Sequence, residues 1–372
     1  MDISDAVLLA DTLDERSGGV GQSCGTERDC LRDELQATSV ICPVRDPLEC
    51  LKHLRGVGVA NYKHILRWIP VALLCGCSQL AREDAKITSE LMDRGLPNVM
   101  ARHAVRLERM KLPQIVLTPR RARDLPIRVS KFRGQPYWPK DRDYPTDPQD
   151  NPMVMLVQLN FAELPKLAEY PTTGILQFFI AVGSAGNELL GMRLDGSESD
   201  GPAYLDVLRD QTFFRVVYHE TIVTDDAALR TDLPMFDDPD LPIPLEGTVA
   251  PKLSDSYVQT SDYRFKRIFD LDYKAYYESV MKKDFSLVEQ YRDFLGGYRI
   301  AVIGGYSRVE QGFDPRSLVP DEDWLVLLSI DTTPENDLDM LWEDGGVANW
   351  WIKREDLQQK DFSRVIYYWD SG

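Results

Sequence analysis

The sequence predicts an α+β fold, with an all-helical N-terminal module followed by a β-rich domain that has a mixed or antiparallel sheet and an internal pseudo-duplication. Helical periodicity prevails up to residue 112, and strand-like apolar runs bounded by turn residues follow it. The segments 1–112, 113–145 and 146–372 carry net charges of −1, +5 and −21. We therefore expect a helical domain over 1–112 and a second domain over 113–372, since 372 residues suffice for two cores.

Two segments of the N-terminal third have clear helical signals. Ser78 to Gly95 carries apolar residues at helical spacing and ends on a glycine, and Asn98 to Met110 has a similar pattern. All six cysteines lie in the first 77 residues, and no basic, apolar leader opens the chain. We therefore expect reduced thiols and a cytoplasmic location. Cys75 and Cys77 lack a second Cys or His pair at ligand spacing, so no metal or other cofactor is predicted.

The remaining two-thirds consists of apolar and aromatic runs separated by proline and glycine. Four of the seven tryptophans fall between Leu341 and Trp369, which indicates a specified core in that stretch. A short helix is expected over Arg354–Gln359, and longer ones over 262–269 and 273–294. The predicted strands cover 153–161, 173–182, 211–220, 324–331, 347–352 and 362–369.

The second half of this region repeats the first in outline. Gly134 precedes Leu156 by 22 residues, and Gly305 precedes Leu327 by the same number. Each glycine is followed by a polar loop, a strand, a turn and a second strand. This spacing predicts an internal duplication.

A series of blocks occurs in a fixed order along the C-terminal two-thirds of the chain. They are SKFRGQPYWP (130–139), LVQLNF (156–161), YPTTGILQFFI (170–180), FRVVYHE (214–220), SDYRFKRIFD (261–270), GGY (304–306), DPR (314–316), LWEDGGVANWWI (341–352) and DFSRVIYYWD (361–370). These blocks resemble the YwqG-like family of bacterial domains, whose activity is undefined. The resemblance covers about residues 115–372, and it implies no catalytic residues. Ser307, Ser329 and Ser371 depart from the family pattern, where proline, glutamine and cysteine are usual.

Family members are encoded near polymorphic toxins, and some are suspected immunity proteins. The resemblance therefore implies an immunity protein that binds a cognate toxin and occludes its active site. The net charge of −17 points independently to a basic partner, such as a nuclease toxin, and disfavours nucleic acid and anionic membranes. Acids in turn-like segments, with apolar anchors beside them, are the expected contact residues. They are Asp225, Asp226, Met235, Phe236, Asp237, Asp238, Asp240, Asp321, Glu322 and Asp323.

The alternative is an uncharacterised enzyme or small-ligand-binding protein with a pocket between the two repeats, near Tyr137, Trp138, Trp350 and Trp351. No serine nucleophile elbow, phosphate loop or HExxH motif occurs. His219 beside Glu220 has the residue types of a base and its orienting partner, but such a pair at a strand end is more often structural. No catalytic residue is assigned on this evidence.

Overall fold

The protein is described by a computed structural model over residues 79–183, 188–297, 300–332 and 337–372. The chain divides into two compact units, Met1–Cys77 and Ser78–Gly372, and the described residues belong to the second. The helices predicted before residue 79 lie outside the described residues. The predicted domain boundary after residue 112 therefore stays a prediction.

Within the described ranges, ten strands form one sheet in which every pairing is antiparallel, and two more strands form a separate hairpin. The strands are β1 (Leu112–Arg121), β2 (Lys131–Phe132), β3 (Val154–Asn160), β4 (Ile175–Ile180), β5 (Glu188–Leu189), β6 (Met192–Arg193), β7 (Phe214–His219), β8 (Gly247–Ser256), β9 (Ala301–Gly304), β10 (Trp324–Asp331), β11 (Val347–Lys353) and β12 (Ile366–Asp370). Their order across the sheet is β12-β11-β10-β9-β1-β8-β2-β3-β4-β7, and β5 and β6 form the hairpin.

The helices within the described ranges are short, and most lie between strands. They are α1 (79–93), α2 (Ala104–Arg109), α3 (Tyr204–Leu208), α4 (Phe265–Phe269), α5 (Tyr273–Tyr276), α6 (Ser286–Phe294) and α7 (Arg354–Gln359). A π-helical turn, Tyr277–Met281, follows α5 directly. The 3₁₀ turns are Asn98–His103, Phe161–Glu163, Glu198–Ala203, Asp226–Ala228, Pro315–Leu318 and Phe362–Arg364.

The sheet curls until its two edge strands approach each other, which makes it a nearly closed barrel. Phe214 on β7 and Tyr367 on β12 place their ring centroids 5.2 Å apart. Phe178 on β4 and Trp350 on β11 are 5.4 Å apart in an edge-to-face arrangement. One apolar core therefore fills the space between the two halves of the same sheet.

Side chains and loops cover the two edges of the sheet. The Tyr367 hydroxyl and the Trp369 indole donate hydrogen bonds to the carbonyls of Leu190 and Leu189 in the β5–β6 hairpin, at 2.8 and 3.0 Å. Beside β7, the Gln211 side chain donates to the Phe362 carbonyl at 2.7 Å. Covered edges do not present a free row of backbone groups to other chains.

The predicted α+β fold is wrong for the described residues, and most of the predicted all-helical N-terminal module lies outside them. The described residues form a ten-stranded antiparallel, barrel-like sheet with few helices. Several strands are buried on both faces. The opposite half of the sheet covers the inner face, and loops cover much of the outer face. The individual strands predicted over 153–161, 173–182 and 324–331 are confirmed, as is the helix over Arg354–Gln359.

The helical segments near the start of the described residues pack into a second core. Leu91 of α1, Met100 of the next 3₁₀ turn and Leu107 of α2 are buried with Phe265 of α4 and Tyr291 of α6. This core includes Tyr306 beside β9, so the helices adjoin the centre of the sheet. The single helix predicted over 273–294 is broken into α5, a π-helical turn and α6.

The strands fall in matching order outward from the central β1–β8 pair. One half contains β8, β2, β3, β4 and β7, and the other contains β1, β9, β10, β11 and β12. The pairing register shifts at Leu156 on β3 and at Leu327 on β10, which marks a bulge in the corresponding strand of each half. Gln158 and Gln177 face each other across β3–β4, as Ser329 and Asn349 do across β10–β11.

Candidate functional site: an acidic groove

Two loops bring five carboxylates to the walls of one open groove of about 850 Å³. Three of the carboxylates belong to residues predicted to bind a partner, Asp237, Asp238 and Asp240. The other two come from Asp339 and Glu343, in the loop before β11. Four leucines and two prolines complete the walls, namely Leu190, Leu241, Leu245, Leu341, Pro239 and Pro244. The groove thus combines negative charge with apolar surface.

The first wall is an extended loop that its prolines keep out of regular structure. Prolines at 234, 239, 242 and 244 remove backbone donors, and no helix or strand forms between residues 230 and 246. Leu241 and Ile243 are buried in the main core and anchor the loop. The Asp238 carboxylate accepts the backbone N–H of Asp240 at 2.9 Å, which shapes the turn between them.

The second wall alternates between core residues and groove residues. Leu338, Met340 and Trp342 are buried, whereas the intervening Asp339, Leu341 and Glu343 are exposed. The backbone N–H of Leu341 donates to the Pro242 carbonyl at 2.9 Å and joins the two walls. Both acids of this wall have left-handed backbones, with φ of 52° at Asp339 and 46° at Glu343. That conformation is unfavourable for a glutamate, so the core contacts on either side hold it there.

The groove carboxylates lack internal counter-ions. Among the described residues, no ion pair within 4.0 Å involves any of the five. Unpaired acids concentrated in one concave surface create a negative potential that attracts cations. Leu341, which is 54% exposed, adds an accessible apolar contact in the same place.

Four of the five other predicted acids have partners within the protein or cap a turn. Asp226 pairs with Arg128 at 2.7 Å, and the Asp225 carboxylate caps the following 3₁₀ turn. Glu322 pairs with Lys353 at 2.6 Å, and Asp323 pairs with Arg354 at 2.5 Å. Asp321 is exposed beside them and does not line the groove. The structure therefore brings together only three of the eight predicted acids.

Met235 and Phe236 line a separate small cavity on the other side of the same loop. This cavity has a volume of about 70 Å³ and shares Pro244 with the groove. Arg133, Tyr144 and Glu246 also border it. Met235 is 65% exposed and half-buried Phe236 directly precedes Asp237. The two predicted anchors thus lie beside the acidic residues but outside the groove walls.

The four aromatic residues predicted to line a ligand pocket do not face a common space. Each is at most 2% exposed. Tyr137 and Trp138 belong to two small clusters outside the barrel, whereas Trp350 and Trp351 belong to the main core. All four are packed against protein atoms and contribute to the core.

The His219 imidazole is held in its neutral form. Gln177 donates its amide N–H to the Tyr137 carbonyl and to Gln158, so its oxygen accepts from His219 Nε2 at 2.9 Å. His219 Nδ1 is left to accept from Arg142 at 3.3 Å. Burial and the Arg142 charge lower the pKa of His219 to about 3. Glu220 is exposed and pairs with Lys360 instead, so these neighbours do not form a base and orienter.

A family model matches residues 130–371. The chain belongs to the DUF1963 family, a domain of unknown function. The match includes β2 to β12 and both walls of the groove, whereas β1 and the helices before it precede the matched DUF1963 region. No curated protein matches the chain.

Two further observations concern the described part of the chain. None of its helices is both long and apolar enough to cross a membrane. Its His, Cys, Asp and Glu side chains form no group of three or more with the geometry of a metal site.

Both walls of the groove lie in acidic, turn-like segments of the sequence. Asp237, Asp238 and Asp240 are predicted as contact residues because apolar residues lie next to them. Asp339 and Glu343 carry a comparable signal, since an apolar residue directly precedes each of them. The structure buries those apolar residues, which anchor the loop and leave the two carboxylates lining the groove.

Proposed function

We propose that this protein is an immunity protein, which binds a basic protein toxin through the acidic groove and occludes the toxin's active site. The observation that supports the proposal is the groove itself, with five carboxylates that lack ion pairs among the described residues, beside exposed apolar side chains. A cationic segment of the partner would supply the missing counter-charges, and its apolar residues would contact Leu341 and Leu245. The protein would act in the cytoplasm, on a protein rather than on nucleic acid or a membrane.

The charge pattern favours fast and selective binding. Complementary potentials steer encounter and raise association rates toward ~10⁸ M⁻¹s⁻¹ or above, and like charges reject acidic competitors. Charge at an interface rim contributes little affinity, so the apolar walls are as important as the acids. The groove presents carboxylates and apolar side chains on one surface.

The likeness to the YwqG-like family supports the choice of a toxin as the partner. Some members of that family are suspected immunity proteins, and the blocks that carry the likeness lie within the DUF1963 region or next to it. An acidic inhibitor also suits a basic target such as a nuclease, whose active site must attract a polyanion.

The first test is retrieval of the partner with tagged full-length protein from its native host, followed by its purification. Binding of the purified partner is then measured at several salt concentrations, together with survival of cells that express the partner with and without this protein. The proposal expects a basic partner whose toxicity is suppressed. A partner that is acidic, or that remains toxic when bound, would overturn it.

The second test locates the interface. The triple variant Asp237→Asn, Asp238→Asn, Asp240→Asn should weaken binding at least ~10-fold, equal to about 1.4 kcal/mol, and should flatten its salt dependence. The control variant Glu83→Gln, Asp93→Asn, Asp293→Asn removes the same number of charges from exposed positions on or beside α1 and α6. Equal affinities of the two variants would place the interface elsewhere.

A further inference from the structure

Arg133 connects the acidic loop to the sheet. Its guanidinium donates from Nη2 to the Phe236 carbonyl at 2.9 Å and from Nη1 to the Met155 carbonyl at 3.1 Å. Phe236 directly precedes Asp237, and Met155 lies on β3. One buried side chain, 5% exposed, therefore bridges the groove loop and a central strand.

This arginine occupies a position that is costly for it in two respects. Its backbone has a φ of 57°, in the left-handed region that favours glycine. Its charge is also buried without a carboxylate in ion-pair range among the described residues. Burial lowers the pKa of Arg133 to about 10, against the opposing influence of the Tyr144, Asp238 and Glu246 charges.

The corresponding turn in the other half of the sheet has the residue that the backbone prefers. Arg133 and Gly134 have φ of 57° and 71°, and Gly304 and Gly305 have φ of 75° and 69°. The same turn can therefore be built with glycine at the first position. What distinguishes Arg133 is its side chain, which joins the acidic loop at Phe236 to strand β3 at Met155.

We propose that Arg133 is a positioning residue for partner binding, which holds the Asp237–Asp240 segment in the conformation that presents its carboxylates to the groove. This inference rests on the proposed function of the groove. Without the guanidinium, the Phe236 carbonyl loses its donor and the repelling acids beside it are less restrained. A cationic partner would then have to order the loop as it binds, and affinity would fall.

Electrostatics alone predicts the opposite change in affinity for a cationic partner. Removing a positive charge from beside an acidic groove strengthens its attraction for cations. Positioning predicts weaker binding in spite of that gain. The two effects are therefore distinguished by the direction of the change in affinity.

The experiment compares Arg133→Gly with the wild type, using the full chain and a decalysine peptide as the cationic probe. Glycine suits the left-handed backbone, so the variant removes the side chain without backbone strain. We expect at least ~10-fold weaker binding, an unchanged slope of log affinity against log salt, and faster amide exchange over residues 234–240. The control Arg123→Gly removes an exposed arginine that lines neither the cavity nor the groove, and it should bind equally well or slightly better.

The outcomes separate this inference from the function on which it rests. If wild type does not bind decalysine while the Asp237, Asp238 and Asp240 charges are intact, the cation-binding role of the groove fails. If wild type binds and Arg133→Gly binds equally well or better, or if exchange over 234–240 is unchanged, positioning is refuted. Should Arg133→Gly not fold, Arg133→Lys retains the charge with a single donor group, and it should show intermediate affinity and exchange.

Discussion

The two halves of the sheet protect equivalent outer surfaces with different chemistry. In the first half, neutral side chains over β3 and β4 form a network of Gln158, Gln177 and His219, and the buried Lys131 side chain adjoins it. In the second half, the groups over β10 and β11 include buried ion pairs centred on Arg316. Matching strand order therefore does not require matching side-chain chemistry, provided that buried polar groups find partners.

The neutral network is closed almost entirely by amides and backbone. Gln158 accepts the N–H of Tyr137 at 2.8 Å, and its own amide donates to the carbonyls of Ile127 and Val129 at 2.8 Å. Gln177 then joins Gln158 to His219. Because each amide has both a donor and an acceptor group, the network satisfies many buried atoms with neutral side chains. The buried Lys131 Nζ adjoins it and donates to the Ile127 carbonyl at 3.4 Å.

The network of the second half is built from charged side chains. Fully buried Arg316 pairs with Asp314 at 2.6 Å and with Asp262 at 3.1 Å, and its guanidinium carbon lies 4.4 Å from the Trp351 ring centroid. Burial alone would raise the pKa of Asp262, but the Arg264 and Arg316 charges hold it well below the ordinary range. Such a network is stable only while all its members are present.

Disruption of the ionic network around Arg316 should cause the largest loss of stability. Arg316→Met leaves the buried carboxylates of Asp262 and Asp314 without their shared cation, and we expect a loss of about 3–5 kcal/mol in the free energy of unfolding. Urea denaturation measures it. Arg230→Met removes the solvent-accessible pair with Asp232 and should cost less than ~1 kcal/mol. Similar losses in the two variants would mean that the buried network contributes no more than a surface pair.

Disruption of the amide network around Gln158 should cause the next largest loss of stability. Gln158→Ser introduces the residue type of the corresponding position in the second half. It removes the acceptor of the Tyr137 N–H and of the Gln177 amide, so we expect a loss of about 2–3 kcal/mol in the same urea measurement. Gln290→Ser on the exposed face of α6 serves as the control and should change stability by less than ~0.5 kcal/mol. A loss for Gln158→Ser no greater than that of the control would show that water replaces the amide.

One buried group in each half, His219 and Asp370, should change stability in opposite directions on acidification. His219 remains neutral until about pH 3, whereas an unfolded histidine takes up a proton near pH ~6.5. Between these values the unfolded chain binds more protons, so His219 lowers stability as pH falls, by at most ~1.4 kcal/mol per pH unit. Burial raises the pKa of Asp370 to about 6, although the Gln311 N–H opposes the shift. The native state binds that proton first, so Asp370 raises stability as pH falls from about 6 to ~4.

Two variants measured by urea denaturation from pH 4 to pH 8 separate these contributions. His219→Gln should lose less stability than wild type on acidification, and Asp370→Asn should lose more. The two curves should therefore diverge from wild type in opposite directions below pH ~6.5. Parallel curves for both variants would contradict the assigned protonation states.

The reverse substitution, which places a glutamine at Ser329, should have the smallest effect on stability. Ser329 lines a polar cavity of about 40 Å³ at the position that matches Gln158, and the carbonyl oxygen of the Asn349 side chain opposite it has no hydrogen-bond partner among the described residues. Ser329→Gln adds atoms beside this space and a donor near Asn349, so we expect a change within ~1 kcal/mol. A loss above ~2 kcal/mol, as overpacking would cause, would show that the cavity does not admit a glutamine. Ser363→Gln, at an exposed site, provides the control for the substitution.

Local sequence signals were sufficient for many individual elements. β3, β4, β10 and α7 were predicted from continuous apolar runs and from turn residues at their ends. β8 was not predicted, because Pro251 interrupts it and most of its residues are polar or half-exposed. It nevertheless pairs with β1 over ten residues at the centre of the sheet, so its strand conformation depends on its neighbour rather than on its own composition.

The candidate site was predicted in part for a related reason. The proline-rich acidic loop with Asp237 and Asp238 is recognisable by composition alone. Its opposite wall lies about a hundred residues later in the chain, where the Leu341 N–H bonds to the Pro242 carbonyl and residues of both walls pack in the main core. The role of Arg133 could not be predicted from the residues around it. Its guanidinium donates to the carbonyl of Phe236, about a hundred residues later in the chain.

The sequence by itself determined the acidity of the protein, the positions of its most apolar strands and the turn residues between them. These properties depend on composition and on short-range periodicity. Tertiary structure decided that the strands close on themselves instead of packing against helices, and which acids remain unpaired. Both outcomes depend on contacts between residues far apart in the chain. The fold places an arginine beside one aspartate, as it does at Asp226, and leaves another facing a groove, as it does at Asp237.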